Sequence, residues 1–242
     1  MFSIDLNCDV GEGTGNDAKL MPFISSCSIA CGGHYGSKQT IEATAQLAQA
    51  HGVHIGAHPS YPDTENFGRK SMNLSLADLQ DALRKQLDIF FSICTNVSHI
   101  KPHGALYNDL FSDLEKTEAV LAVFAEYAPG IRVYCSAASQ LAKVAAHSGF
   151  SVCIEAFADR SYAKNGSLLS RSEDNAVLTD KHSIAKQVIQ LVTSKSVECN
   201  TGVIIPVKAQ TICLHGDGLH VIENAAFLAE SLMQNNIRVQ GL

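Results

Sequence analysis

The strongest constraint on this chain is a change of hydrophobic period that repeats from one end to the other. Seven short apolar runs, Phe2–Leu6, Ser26–Ala30, Val53–Ala57, Val97–Ile100, Ile131–Cys135, Phe150–Ile154 and Thr211–Leu214, alternate with longer segments of helical spacing. Each run has the length of a buried strand. Ser75-x-x-Asp78 has the form of a helix start, and Leu79, Leu83, Leu87, Phe90 and Cys94 follow it along one face. Lys38–His51 reads as another helix, ended by Gly52. Thr117–Tyr127, Ala138–Ser148, Ser183–Thr193 and Glu223–Asn235 read as four more.

Strands that alternate with helices are parallel, because each crossover helix returns the chain to the same edge. The order predicts an α/β fold, a parallel (β/α) barrel of seven strands, with residues 1–242 as a single domain. An open doubly wound sheet is the rival, and the lack of any break into two halves favours the barrel. The least regular stretch, 158–178, is polar and bears Gly and Ser. It reads as a lid or long loop over the site.

Composition narrows the partners. A chain of 242 residues buries a sizeable core without staples. Its net charge is −6 and it has no Lys or Arg run, so nucleic acid and an anionic membrane are poor partners. No stretch approaches the roughly 20 apolar residues of a membrane span. None of the eight Cys forms C-x-x-C, and most have apolar neighbours. Reduced core thiols and no evident export leader predict a cytoplasmic protein.

In parallel α/β folds, ligands bind at the carboxyl ends of the strands. Read in order, these ends carry Asn7, Asp9 and Glu12; His34; His58 and Asp63; Lys101, His103 and Asn108; Ser136; Glu155, Asp159 and Arg160; and His215 and Asp217. His, Asp and Asn dominate, which are residue types of proton transfer, metal binding and oxyanion stabilisation. Each has a plainer reading: a single His is more often a satisfied core residue, and Lys101 with Glu155 could be a structural ion pair. Lys101 closes an apolar run and therefore needs a carboxylate, either Glu155 or an Asp of the first strand. His51, His99, His147 and His182 read as capping or surface groups, and His54 as structural.

Several motifs fail. A calcium loop counted from Asp5 puts Val10 and Asn16 where Gly and Glu are required. Gly11-x-Gly13-x-Gly15 lacks the dinucleotide-binding spacing, and there is no Walker loop and no G-x-S-x-G elbow. Alternation along DLNCDVGEG instead turns Asp5, Asn7 and Asp9 into the barrel and Leu6, Cys8 and Val10 outward. Asp9 then lies at the rim and Asp5 deeper, in a structural place.

Six ordered stretches, DLNCDVGEG, SIACGGHYGS, GAHPSYPD, KPHGALYN, EAFADR and LHGDG, closely resemble the LamB/YcsF family. The resemblance spans Asp5 to about Gly218. It implies a barrel related to glycoside hydrolase and polysaccharide deacetylase folds. It also implies the ATP-coupled hydrolysis of the lactam of 5-oxo-L-proline to L-glutamate, in company with 5-oxoprolinase subunits B and C. ATP is the implied cofactor, bound here or on a partner, and a homo-oligomer is left open.

On chemistry, Asp9 or Glu155 is expected as general base and Lys101 as oxyanion partner. His103 is expected to donate to the leaving nitrogen. Asn7, Glu12, Asp159, Arg160 and Asp217 are expected to hold substrate, with Arg160 on its carboxylate. Two rivals remain: a self-sufficient metal-dependent amidohydrolase or deacetylase, with His34, His58 and His215 as metal ligands beside Asp9, and a non-catalytic protein that only binds the substrate.

Overall fold

A computed structural model of the chain describes residues 2–242. Ten strands and eight α-helices follow in the order β1 (Phe2–Val10), α1 (Asp17–Leu20), β2 (Ser26–Ala30), α2 (Lys38–Ala50), β3 (His54–His58), α3 (Leu76–Ile93), β4 (Val97–Ile100), α4 (Gly104–Asp109), α5 (Leu114–Tyr127), β5 (Arg132–Cys135), α6 (Gln140–His147), β6 (Ser151–Phe157), α7 (Lys181–Thr193), β7 (Ser196–Glu198), β8 (Ile204–Pro206), β9 (Thr211–Cys213), α8 (Val221–Gln234) and β10 (Ile237–Val239).

Seven parallel strands close on themselves in the order β1-β2-β3-β4-β5-β6-β9, because β9 pairs with both β6 and β1. The seven-stranded parallel barrel is therefore present. Strand β1 is long enough to serve three neighbours. Its first residues pair with β10, its middle with β9 and its last four with β2. The β7–β8 hairpin and β10 carry too few residues to stand out as apolar runs.

Helix starts follow local chemistry. The side chains of Ser37, Ser75, Asp113, Ser139 and Asp180 each accept a backbone N–H of the first turn. In α3, Leu79, Leu83, Leu87 and Phe90 form the buried stripe, and the helix packs between α2 and α5. Each such side chain contributes about 1.5–3 kcal/mol by leaving water.

On the other side of the β1 backbone, Leu6, Cys8 and Val10 are fully buried among apolar residues. The barrel interior is polar instead. Asp5 accepts hydrogen bonds from Ser25 (2.7 Å), Ser26 (2.7 Å), Tyr134 (3.1 Å) and Thr211 (2.6 Å). These tie β1, β2, β5 and β9 at the barrel floor.

His99 corrects one expectation. It is a wholly buried residue of β4, stacked on Tyr134 at 3.9 Å and bonded to Ser28 and Ser98. The apolar run around it hid an inward-facing position. Opposite it, β3 narrows to Gly56, where a Cβ would lie 2.2 Å from the His99 ring.

Candidate active site

Strand β1 runs on to Val10 and β6 to Phe157, so Asn7, Asp9 and Glu155 are strand residues facing inward rather than loop residues beyond the ends. Lys101, just past β4, meets them. Its Nζ lies 2.8 Å from Asp9 Oδ1, 2.9 Å from Glu155 Oε1 and 3.3 Å from Asn7 Oδ1. The ammonium donates to Asp9, to Asn7 and to the Cys213 sulfur at 3.1 Å, with Glu155 as a further ion-pair partner. Burial alone would depress the Lys101 pKa, but Asp9 and the other groups around it hold it well above its usual value. Burial likewise opposes the Asp9 charge, yet His58 and Lys101 hold that carboxyl well below the usual range. Asp9 and Lys101 are a fixed ion pair.

Asn7 donates to Glu155 (3.0 Å) and to Thr211 (2.7 Å), beneath Lys101. It is a floor residue and does not line the main cavity, contrary to its expected place on substrate.

Three histidines stand on the other side of Asp9. His58 Nε2 is 3.4 Å from Asp9 Oδ2, and His103 Nδ1 is 2.9 Å from His58 Nε2. His34 stacks on His103 at 3.6 Å, nearly parallel. Glu12 reaches among them, with Oε1 2.9 Å from His34 Nε2 and 3.3 Å from His103 Nδ1. Burial, and after it Asp9 and Asp217, push the Glu12 carboxyl well above its ordinary value. Burial, and then neighbouring imidazoles, push His34 and His103 well below theirs.

The expected set of His34, His58 and His215 is not brought together. His215 groups with Asp9 and Cys213 rather than with His34 and His58, its Nδ1 2.8 Å from Asp159 Oδ1 and its ring stacked on Phe157. Asp159 also accepts the His215 backbone N–H. It is therefore committed to His215 and does not line the cavity.

The segment after β3 frames this wall. Gln86 of α3 bonds both the N–H and the carbonyl of Ser60, fixing the turn after His58. Phe67 and Gly68 both adopt positive φ, and Gly68 accepts the Ala105 N–H at 2.9 Å. Gly104 also has positive φ, and a Cβ there would come within 2.5 Å of the Gly68 carbonyl. This close approach sets the entry into α4 and with it His103.

Above the charged cluster opens a cavity of about 740 Å³, walled by residues at the strand ends and by the segment from Asn165 to Ser172. The irregular stretch 158–178 thus covers the site as a long loop. Arg160 is buried, with Nε on the Ala176 carbonyl and Nη2 on the Leu169 carbonyl. These bonds fold the loop back on itself and engage two of the five guanidinium N–H groups, while Arg160 still lines the cavity.

Arg69, paired with Asp217, and Arg171 also line the cavity. Tyr107 lines it as well, with its hydroxyl buried beside Ser136 and Glu155 and lacking a well-aligned hydrogen bond. Sequence reasoning missed these three. Tyr107 stood inside the quoted KPHGALYN, while Arg69 and Arg171 sit in irregular segments whose only signal was isolated positive charge. Glu155 faces a smaller chamber of about 210 Å³ beside the β7–β8 hairpin, and its Oε2 is buried without a partner.

Fold and site together define the class: a parallel (β/α) barrel enzyme whose acid–base groups project from the carboxyl ends of its strands. The chain belongs to the LamB/YcsF family, whose model matches residues 4–242. A relative from Haemophilus influenzae, named as the A component of 5-oxoprolinase, is 38% identical over 99% of both chains. The lactam utilization protein of Thermus thermophilus superposes with a TM-score of 0.91 at 32% identity, over 99% of this chain and 100% of that one. The peptidoglycan deacetylase PdaC of Bacillus subtilis shares the fold alone, with a TM-score of 0.51 and 10% identity over 99% of this chain and 87% of that one. Among the described residues, no helix is long and apolar enough to cross a membrane.

Proposed function

We propose that this chain is the A component of an ATP-dependent 5-oxoprolinase, and that with partner subunits B and C it opens the lactam of 5-oxo-L-proline to L-glutamate. The observation that carries this reading is its full-length similarity to relatives named as that component. The barrel-mouth cavity, which joins buried carboxylates, imidazoles and cationic rim residues, supports it.

Lactam opening adds water to the carbonyl carbon, breaks the C–N bond and delivers a proton to the ring nitrogen. Negative charge develops on the carbonyl oxygen as water adds. Tyr107 is the donor suited to that oxygen, since its hydroxyl has no well-aligned partner, Ser136 and Glu155 being its polar neighbours, and burial keeps it protonated. Lys101 fits this role less well, because its protons are engaged. It positions Asp9 and Glu155 instead.

Asp9 stays ionised and orients the attacking water. Glu12, raised by burial and by Asp9, takes the proton from water and passes it to the nitrogen. His103 donates Nε2–H to the Phe67 carbonyl, which leaves Nδ1 as an acceptor; in that tautomer it gives no proton to a leaving group. Arg69 and Arg171 at the rim suit the substrate carboxylate.

The test is 5-oxoproline-dependent ATP hydrolysis by the chain alone and with its partners. Activity that needs the mixture, with glutamate formed in step with ADP, is the expected result. Cleavage of the lactam by the chain alone without ATP would overturn it and favour a self-sufficient amidohydrolase. Binding of 5-oxoproline with turnover insensitive to Tyr107→Phe and Glu12→Gln would place the chemistry on a partner.

A further inference from the structure

The tautomers of two histidines are fixed by backbone. His58 Nδ1 lies 2.7 Å from the Lys101 carbonyl, and His103 Nε2 lies 2.9 Å from the Phe67 carbonyl. A carbonyl oxygen only accepts, so each of these nitrogens carries the ring's proton. The remaining nitrogens, His58 Nε2 and His103 Nδ1, face each other at 2.9 Å. In neutral rings both present lone pairs, and no proton of either ring lies between them.

Carboxylates approach the same point. Asp9 Oδ2 is 3.4 Å from His58 Nε2, and Glu12 Oε1 is 3.3 Å from His103 Nδ1 and 3.9 Å from His58 Nε2. The local ionisable set holds three carboxyl groups, Asp9, Glu12 and Glu155, against the single ammonium of Lys101, which sits on the other oxygen of Asp9. Facing lone pairs beside surplus carboxylate make an arrangement that lacks a cation. The Asp9, His58 and His103 donor atoms all lie within 4.8 Å of one another.

We propose that Asp9 Oδ2, His58 Nε2 and His103 Nδ1 bind one divalent transition-metal ion, of the zinc or cobalt class, at the wall of the barrel-mouth cavity. Two imidazoles and one carboxylate suit such an ion, with a further position open to the cavity that all three residues line. The outer contacts are built in: each ring donates its other nitrogen to a backbone carbonyl, and Lys101 holds the second oxygen of Asp9. His34 and Glu12 back the site, with His34 stacked on His103. An ion here lowers the pKa of bound water and polarises a carbonyl.

This inference deepens the catalytic reading of the cavity, and its test is read without turnover, so either can fail alone. Protein stripped with a chelator is titrated with cobalt(II), followed by visible absorption and calorimetry. One equivalent binds with the ligand-field bands of a nitrogen and oxygen site. Asp9→Asn and His103→Gln each weaken binding by at least about tenfold, while His215→Gln leaves it unchanged. Thermal melts establish that each variant is folded.

Absence of one-equivalent binding by the unsubstituted chain overturns the proposal. Nitrogen-15 NMR of the metal-free protein would then reveal a shared imidazolium proton between His58 and His103. A thiolate-to-cobalt band, or sensitivity to His215→Gln, also overturns it by moving the ion to the neighbouring group of Asp9, Cys213 and His215.

Discussion

Lys101 Nζ lies 2.9 Å from Glu155 Oε1, and the pair crosses the inside of the barrel. Strand β5 separates β4 from β6 in the sheet, so this contact is made across the pore rather than along a neighbour. With Asp9 on β1 as the second carboxylate, one ammonium joins three separated parts of the wall.

Lys101→Met removes that ammonium and leaves two buried carboxylates without a counter-charge. The expected loss of stability is about 3–5 kcal/mol, measured by urea unfolding. Adding Glu155→Gln to Lys101→Met recovers part of it, with a coupling of about 0.5–3 kcal/mol in the double-mutant cycle. Additive effects would mean that the two groups do not share an interaction.

Tyr107→Phe keeps the ring and removes only the hydroxyl. In the assembled enzyme kcat is expected to fall by about 10²–10³ with little change in KM. The native hydroxyl makes no well-aligned hydrogen bond but has Ser136 and Glu155 beside it, so the melting temperature should change little. A lower melting temperature with unchanged kcat would make Tyr107 structural.

Asp5→Asn separates stability from function. Four hydroxyl donors converge on its two oxygens, and an amide supplies only one acceptor oxygen. The expected cost is about 2–4 kcal/mol from buried groups left unpaired. 5-Oxoproline affinity, measured below the melting range, should be preserved, since Asp5 does not line the cavity.

Arg160→Met frees the two loop carbonyls that Arg160 holds. Trypsin is then expected to cut at exposed Lys164 or Arg171 several-fold faster, while the barrel core stays resistant. Cleavage at the unsubstituted rate would mean that the loop is held by its other bonds.

All eight thiols are free and buried. Burial pushes Cys94 up to about 11 and Cys135 up to about 12. At pH 8 the native chain should react with Ellman's reagent only as fast as it unfolds, and then release eight equivalents in denaturant. A fast phase in native buffer would identify a thiol exposed by local opening.

The barrel was legible because strands buried on both sides are short and apolar, and because helices between them keep their own period. Asp5, Asn7 and Asp9 were legible as one inward face from alternation alone. The three-residue strands β7, β8 and β10 were not, since so few residues hold no period. His99 was misread because apolar neighbours in a strand do not tell which face its side chain takes.

The polar groups at the strand ends include Asp9, Glu12, His58, His103 and Lys101, which the fold does bring together. Their positions in the sequence do not separate lining groups from those behind them, such as Asn7, Asp159 and His34. That distinction depends on which hydrogen bonds each side chain has already spent. Arg69 reaches the cavity only because the chain turns sharply at Phe67 and Gly68, a geometry set by packing against α4.

The interior of this barrel holds, along its axis, a connected file of dipoles and charges: Tyr134, Asp5, Thr211, Asn7, Glu155, Lys101 and Asp9. In an aqueous pore, solvent would solvate a changing charge by reorienting, at a reorganisation cost on every turnover. Here the orientation is set once, when the chain folds, and is the same for each substrate that enters. The seven strands thus serve as a mould for a frozen solvent, shaped before the reaction it surrounds.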